Sequence, residues 1–162
     1  MRGARGVQHE HEYQTSLVWE GNLGVGTAEY SGYDRSYRIR VAGKPDLLGS
    51  ADPAFRGAED RYNPEDLLVA SLSACHMLSY LALCARRRIS VVEYRDQARA
   101  VMKTTADGGG RFESVSLNPR MSISDPSREE EALELHEEAH RLCFIANSCN
   151  FPVFHKPEFL RG

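Results

Sequence analysis

From the N-terminus the chain alternates apolar and polar positions over three short stretches, then carries one long uncharged run, then alternates again. Residues 13–20 (YQTSLVWE), 24–33 (GVGTAEYSGY) and 36–43 (SYRIRVAG) follow the two-residue period of half-buried strands. Gly21-Asn22 and Gly32 mark the turns between them. Residues 44–62 carry Pro and Gly and read as a loop. Asn63-Pro64-Glu65-Asp66 is a helix start: a capping amide, a proline at the first helical position and two acids at the positive end of the dipole. That helix should run to Arg86–Arg88, where cations suit its negative end. Residues 90–105 and 111–123 read as two strands of a hairpin turning at 107–110. A second helix follows Asp125-Pro126, with Ala132, Leu135, Ala139, Leu142 and Ala146 forming one apolar stripe. The tail 150–160 reads as a short last strand, weakened by Pro152 and Pro157. Strands and helices in segregated runs predict an α+β fold. We expect one domain over residues 13–162 behind a loosely ordered stretch at 1–12.

The long run changes the picture most. Residues 67–85 contain no Asp, Glu, Lys or Arg, and about 20 apolar residues suffice to span a bilayer. Ser71, Ser73, His76, Ser79 and Tyr80 interrupt it, however, and Glu65-Asp66 precede it. A helix apolar on all sides then belongs in a protein core, and no membrane partner is expected. Six modest strands give such a helix little cover within one chain, so we expect a homodimer with a shared core. Net charge is −3 and the pI is about 6.1, which announces no basic face for nucleic acid. The N-terminal fourteen residues have basic groups but no apolar stretch of the signal-peptide kind. Four cysteines without a CxxC pair suggest neither a disulfide scaffold nor a zinc ribbon, and cytoplasmic thiols are the simplest reading.

Candidate chemistry begins at Cys75, in the middle of the run. A cysteine there packs as a small hydrophobe in the plainest reading. Cys84 lies about 13 Å further along the same helix, too far for a disulfide, so any sulfur partner is Cys143 or Cys149. Cys143 falls on the apolar stripe of the second helix, and two thiols on facing helices in a reducing compartment suggest redox work. His136-Glu137-Glu138-Ala139-His140 satisfies the H-E-x-x-H pattern of zinc hydrolases, and Cys143 lies on nearly the same face. The competing reading is a Glu-rich solvated helix face. His9 and His11 read as solvated, His76 as a satisfied core histidine, and His155 has no visible partner. Arg35 reads as a turn residue and Glu65 as part of the helix start.

Three segments together resemble the OsmC/Ohr family of organic hydroperoxide reductases. NPEDLLVASLSACHML resembles that family's helix, with a cysteine ten residues after the Glu. AHRLCFIANS resembles its second-cysteine segment, and YSGYDRSYRI its arginine loop. Phe144 stands where many members have Pro, and Cys84 and Cys149 are additional. The resemblance implies an intertwined homodimer with antiparallel sheets around two long central helices. It implies a peroxidatic Cys75, a resolving Cys143, and Arg35 paired with Glu65 to activate the thiolate, with Arg38 as the alternative arginine. An organic hydroperoxide would be the substrate and an external dithiol the reductant, with no metal or other cofactor. Leu67, Leu68, Leu72 and Phe144 are candidates to line an apolar pocket. The rival readings are the zinc hydrolase and a structural or binding protein without catalysis.

Overall fold

The computed structural model describes residues 10–160. The expectation for residues 1–12 therefore lies largely outside the described residues, as does His9. The chain divides into two compact units, residues 1–64 and 65–162.

The described part of the first unit is a three-stranded antiparallel sheet of β1 (Ser16–Trp19), β2 (Tyr37–Arg40) and β3 (Leu47–Gly49), in that order. The strand expected over 24–33 does not form. Asn22 Oδ1 accepts from the N–H groups of Gly24 at 2.9 Å and Gly26 at 3.0 Å. Both glycines have positive φ, 109° and 60°, so the side-chain amide winds the segment into turns. In compensation, β3 forms inside the stretch that read as loop. Gly21 permits the loop to close: a Cβ there would lie 1.8 Å from the Asp34 carbonyl oxygen. Among the described residues this unit has no buried hydrophobic side chain, and Leu17, Val18 and Leu48 stand exposed.

The second unit is built on α1 (Pro64–Arg86), which starts at the proline of its predicted start signal. Its C-terminus closes in a Schellman pattern: Ile89 N–H donates to the Cys84 carbonyl at 2.8 Å and Arg88 takes a left-handed φ of 59°. Each half of the expected hairpin breaks into two strands. Residues 90–105 form β4 (Val91–Asp96) and β5 (Arg99–Thr104), and the return forms β6 (Gly110–Leu117) and β7 (Pro119–Ile123). The break is held by Asp96, which accepts from the Asn118 N–H at 2.7 Å and from the Ser73 hydroxyl of α1. After α2 (Glu129–Leu142) and the single turn α3 (Phe144–Asn147), the tail adds β8 (Val153–His155) beside β6 and β9 (Glu158–Phe159) beside β7, both parallel. Pro152 and Pro157 precede these strands rather than interrupting them, so neither removes a ladder donor inside a strand.

Breaking the hairpin gives two sheets, β4-β7-β9 and β5-β6-β8, and each covers one half of α1. Tyr80, Leu83 and Cys84 pack with Met121, Ala132, Leu135 and Ala139. Leu72 and Val69 pack with Val115, Leu117, Val153, Ile145 and Ala146. The opposite face of α1, the row Ala70, Ala74, Leu78 and Ala82, is exposed on this chain.

Candidate active site

Cys75 sits between the two clusters, after Leu72 and before Tyr80 on α1. Cys143 sits at the corresponding seam, between Ala139 on α2 and Ile145 on α3. The two side chains are neighbours there, close enough that Cys75 bears on the ionisation of Cys143, and both are free thiols. Cys143 is buried while Cys75 is half-buried. Burial pushes the Cys143 thiol up to about 11. The Ala146 N–H, which donates to Cys143 Sγ at 3.5 Å, works against that rise, and neighbouring Cys75 adds to it. A sulfur that keeps its proton can donate S–H to the one beside it, so the buried member is the natural donor and the half-buried Cys75 the one open to an incoming reagent.

The other candidates are placed as follows. Arg35 is held inside its own loop: its guanidinium donates to the carbonyls of Tyr30 and Tyr33 and lies 4.5 and 4.0 Å from the centroids of their rings. Arg38 is paired with Glu20 at 2.6 Å and Asp46 at 3.0 Å across its sheet. Glu65 belongs to none of the ion pairs formed among the described residues. Because α1 is unbroken from Pro64 to Arg86, the ten residues from Glu65 to Cys75 span about 15 Å. Leu72 is fully buried and packs the core. Leu67 and Leu68 are half-buried, and Phe144, next to Cys143, is 77% exposed.

The H-E-x-x-H segment does not assemble a metal site. No group of three His, Cys, Asp or Glu among the described residues could hold a metal ion. His136 turns inward instead: its Nδ1 lies 2.9 Å from His76 Nε2, and its ring stacks on Tyr80 with centroids 3.8 Å apart. His140 and Glu137 lie beside His155, with centroids 5.2 Å apart for the His pair and 3.6 Å between Glu137 Oε1 and His155 Nε2. His155, which had no visible partner in the sequence, thus joins a cluster of four imidazoles, stacked on His76 and His136 and tilted against His140. Only the i, i+4 spacing of His136 and His140 hinted at it.

The sequence matches the family of OsmC-like proteins over residues 57–157. The chain belongs to the OsmC-like family. An OsmC-like protein of unknown function from Vibrio cholerae is 28% identical, with a TM-score of 0.82 over 92% of this chain and all of that one. An organic hydroperoxide resistance protein from Elizabethkingia anophelis shares the fold at 20% identity and a TM-score of 0.69, over 96% of this chain and all of that one. One from Legionella pneumophila does so at 17% and 0.67, over 95% of this chain and all of that one. No curated protein matches the chain. Membership and these folds establish the α+β OsmC-like architecture. The stretch matched to the OsmC-like family contains both Cys75 and Cys143.

Proposed function

We propose that this OsmC-like protein is a thiol-dependent organic hydroperoxide reductase that works as a homodimer in the cytoplasm. The observation that carries the reading is the contact between two free thiols at the seam of the core, one half-buried and one holding its proton. Its OsmC-like relatives named as organic hydroperoxide resistance proteins support the substrate class.

The Cys75 thiolate attacks the terminal oxygen of ROOH. The O–O bond breaks, the departing alkoxide takes a proton and leaves as ROH, and Cys75 becomes a sulfenic acid. Cys143 then attacks the Cys75 sulfur, and the hydroxyl group leaves with the Cys143 proton as water. The resulting disulfide accepts two electrons and two protons from an external dithiol. Arg35 stabilises the thiolate and the charge on the departing oxygen, and Glu65 orients it. With about 15 Å between Glu65 and Cys75 along one helix, Glu65 of one protomer serves the Cys75 of its partner. The second copy covers the row Ala70, Ala74, Leu78 and Ala82, and the uncovered apolar residues of the first unit. Phe144, Leu67 and Leu68 offer apolar surface to the alkyl group.

Turnover of cumene hydroperoxide and of H₂O₂ with a dithiol reductant tests this. Cumene hydroperoxide should be preferred by on the order of tenfold, the worth of a methylene or two in an apolar pocket, and Cys75→Ser should be inactive. Equal turnover of both peroxides, or activity surviving in C75S, would refute the reading.

A further inference from the structure

His76 and His136 are both fully buried, and the function proposed above does not use them. His76 Nε2 and His136 Nδ1 share one proton across 2.9 Å. An N–H···N bond of this kind needs one bare nitrogen, so it cannot survive protonation of both rings. The outer nitrogens, His76 Nδ1 and His136 Nε2, are buried without a partner among the described residues, so nothing there welcomes a second proton. Every group facing the pair is neutral or cationic when protonated, except one. Tyr80 of α1 stacks on His136, Tyr94 of β4 stands behind Tyr80, and His155 of β8 stacks on His76 with centroids 5.4 Å apart. His140 of α2 lies beyond His155. The exception, Glu137, reaches His155 and not the pair. His140 and His155 line an open groove of about 670 Å³, so water meets the outer end of the cluster.

The position of the pair relative to the sulfurs is the second observation. His76 follows Cys75 on α1, and His136 lies seven residues before Cys143 on α2, on the same side of the helix two turns away. We propose that the His76–His136 hydrogen bond is a positioning latch, holding α1 against α2 at the separation where Cys75 meets Cys143, and that added protons open it. The inference depends on the preceding section only in treating the meeting of the two thiols as the functional event.

The latch is shut at neutral pH and opens in acid. Burial, with His155 and His140 adding repulsion, holds His76 down to about 4. Burial, with His76 and His155, holds His136 down to about 3.

Diamide closes the thiol pair without a peroxide: two thiols give up two electrons and two protons, and the N=N bond of the reagent becomes a hydrazine. Its rate of forming the Cys75–Cys143 bond should be measured in the full chain from pH 8 to pH 3, alongside the double variant His76→Leu/His136→Phe. Ionisation of the thiols is common to both proteins and cancels in the ratio of rates. That ratio should stay constant from pH 8 to 6 and fall by roughly half by pH 3, where both rings are protonated in about half of the molecules. His136→Gln, which can still accept from His76, should keep the wild-type rate at pH 7. A ratio constant across the whole range would overturn the latch. If the double variant does not fold, imidazole NMR of the wild type decides: His76 and His136 should stay neutral at pH 6 and titrate together with the loss of closure rate. Titration of either ring between pH 6 and 7 with closure unaffected would overturn it. Because diamide is not a hydroperoxide, this outcome stands apart from that of the peroxidase assay.

Discussion

Cys75 and Cys143 are chemically the same and electrostatically different. The buried one is held protonated by the lack of solvation, and the half-buried one is within reach of an oxidant. This asymmetry assigns the order of events. Cys143→Ser should leave the first chemical step intact, so one equivalent of organic hydroperoxide converts Cys75 to a sulfenic acid that persists and can be trapped with dimedone. Steady-state turnover in that variant should fall by on the order of tenfold or more, because only direct attack by the external dithiol remains. Trapping at Cys143 rather than Cys75 in the wild type would reverse the assignment. At this scale the sequence was only half legible. The stripe spacing placed Cys143 on a buried face, and it was the resemblance, not the spacing, that named Cys143 over Cys149 as the partner of Cys75. The environment of Arg35 was not legible at all, since its stacking on Tyr30 and Tyr33 depends on turns wound by Asn22, Gly24 and Gly26.

Among the elements, α1 was the most legible because its capping residues, its length and its lack of charge agree with one another. The sheets were less so. Nothing in the alternation of 90–105 and 111–123 marks the break, which comes from Asp96 tying Asn118 and Ser73 together across three elements. The imidazole cluster was also invisible, because it draws on α1, α2 and β8, which are distant in sequence. It has a consequence for the stability of the helix pair. His76 and His136 bind protons less well in the folded chain than the ordinary 6.5. The unfolded chain therefore takes up more protons, and the stability these groups contribute is complete above pH 6.5 and lost as pH falls toward 4 and 3. His76 alone should remove on the order of 3 kcal/mol by pH 4, a drop in Tm of about 6–12 °C for a chain of this size. Thermal melts of wild type and H76L/H136F at pH 7 and pH 4 check this. The acid loss should be larger in the wild type by at least that amount, since the variant lacks both rings, and equal losses in the two proteins would contradict it.

For the whole molecule, the distribution of apolar surface is the leading fact. The second unit has two buried clusters, whereas the first has no buried hydrophobic side chain among its described residues. A three-stranded sheet without a buried hydrophobic side chain gains little stability by itself. On α1, Leu78 is 62% exposed within a row of alanines that would let another helix approach closely. In the proposed homodimer, a second copy of the chain would meet both needs. Leu78→Glu should convert the dimer to monomer in light scattering, because a carboxylate buried at a helix crossing costs several kcal/mol. It should also lower peroxidase turnover at least tenfold, although Cys75 itself is untouched. A Leu78→Glu protein that remains dimeric would place the interface elsewhere. The expectation of a partner came from an apolar helix with too few strands to cover it; which face of α1 is left exposed was not legible, because that depends on how β4–β7 divide around α1.

The central claim is that Cys75 and Cys143 are a working redox pair, and peptide mapping tests it most directly. Fully reduced protein is treated with one equivalent of cumene hydroperoxide, quenched by alkylation and digested under non-reducing conditions. The account predicts one new cross-link, Cys75 to Cys143, with Cys84 and Cys149 recovered as alkylated thiols. Recovery of all four thiols unoxidised, or a bond that leaves out Cys75, would contradict it.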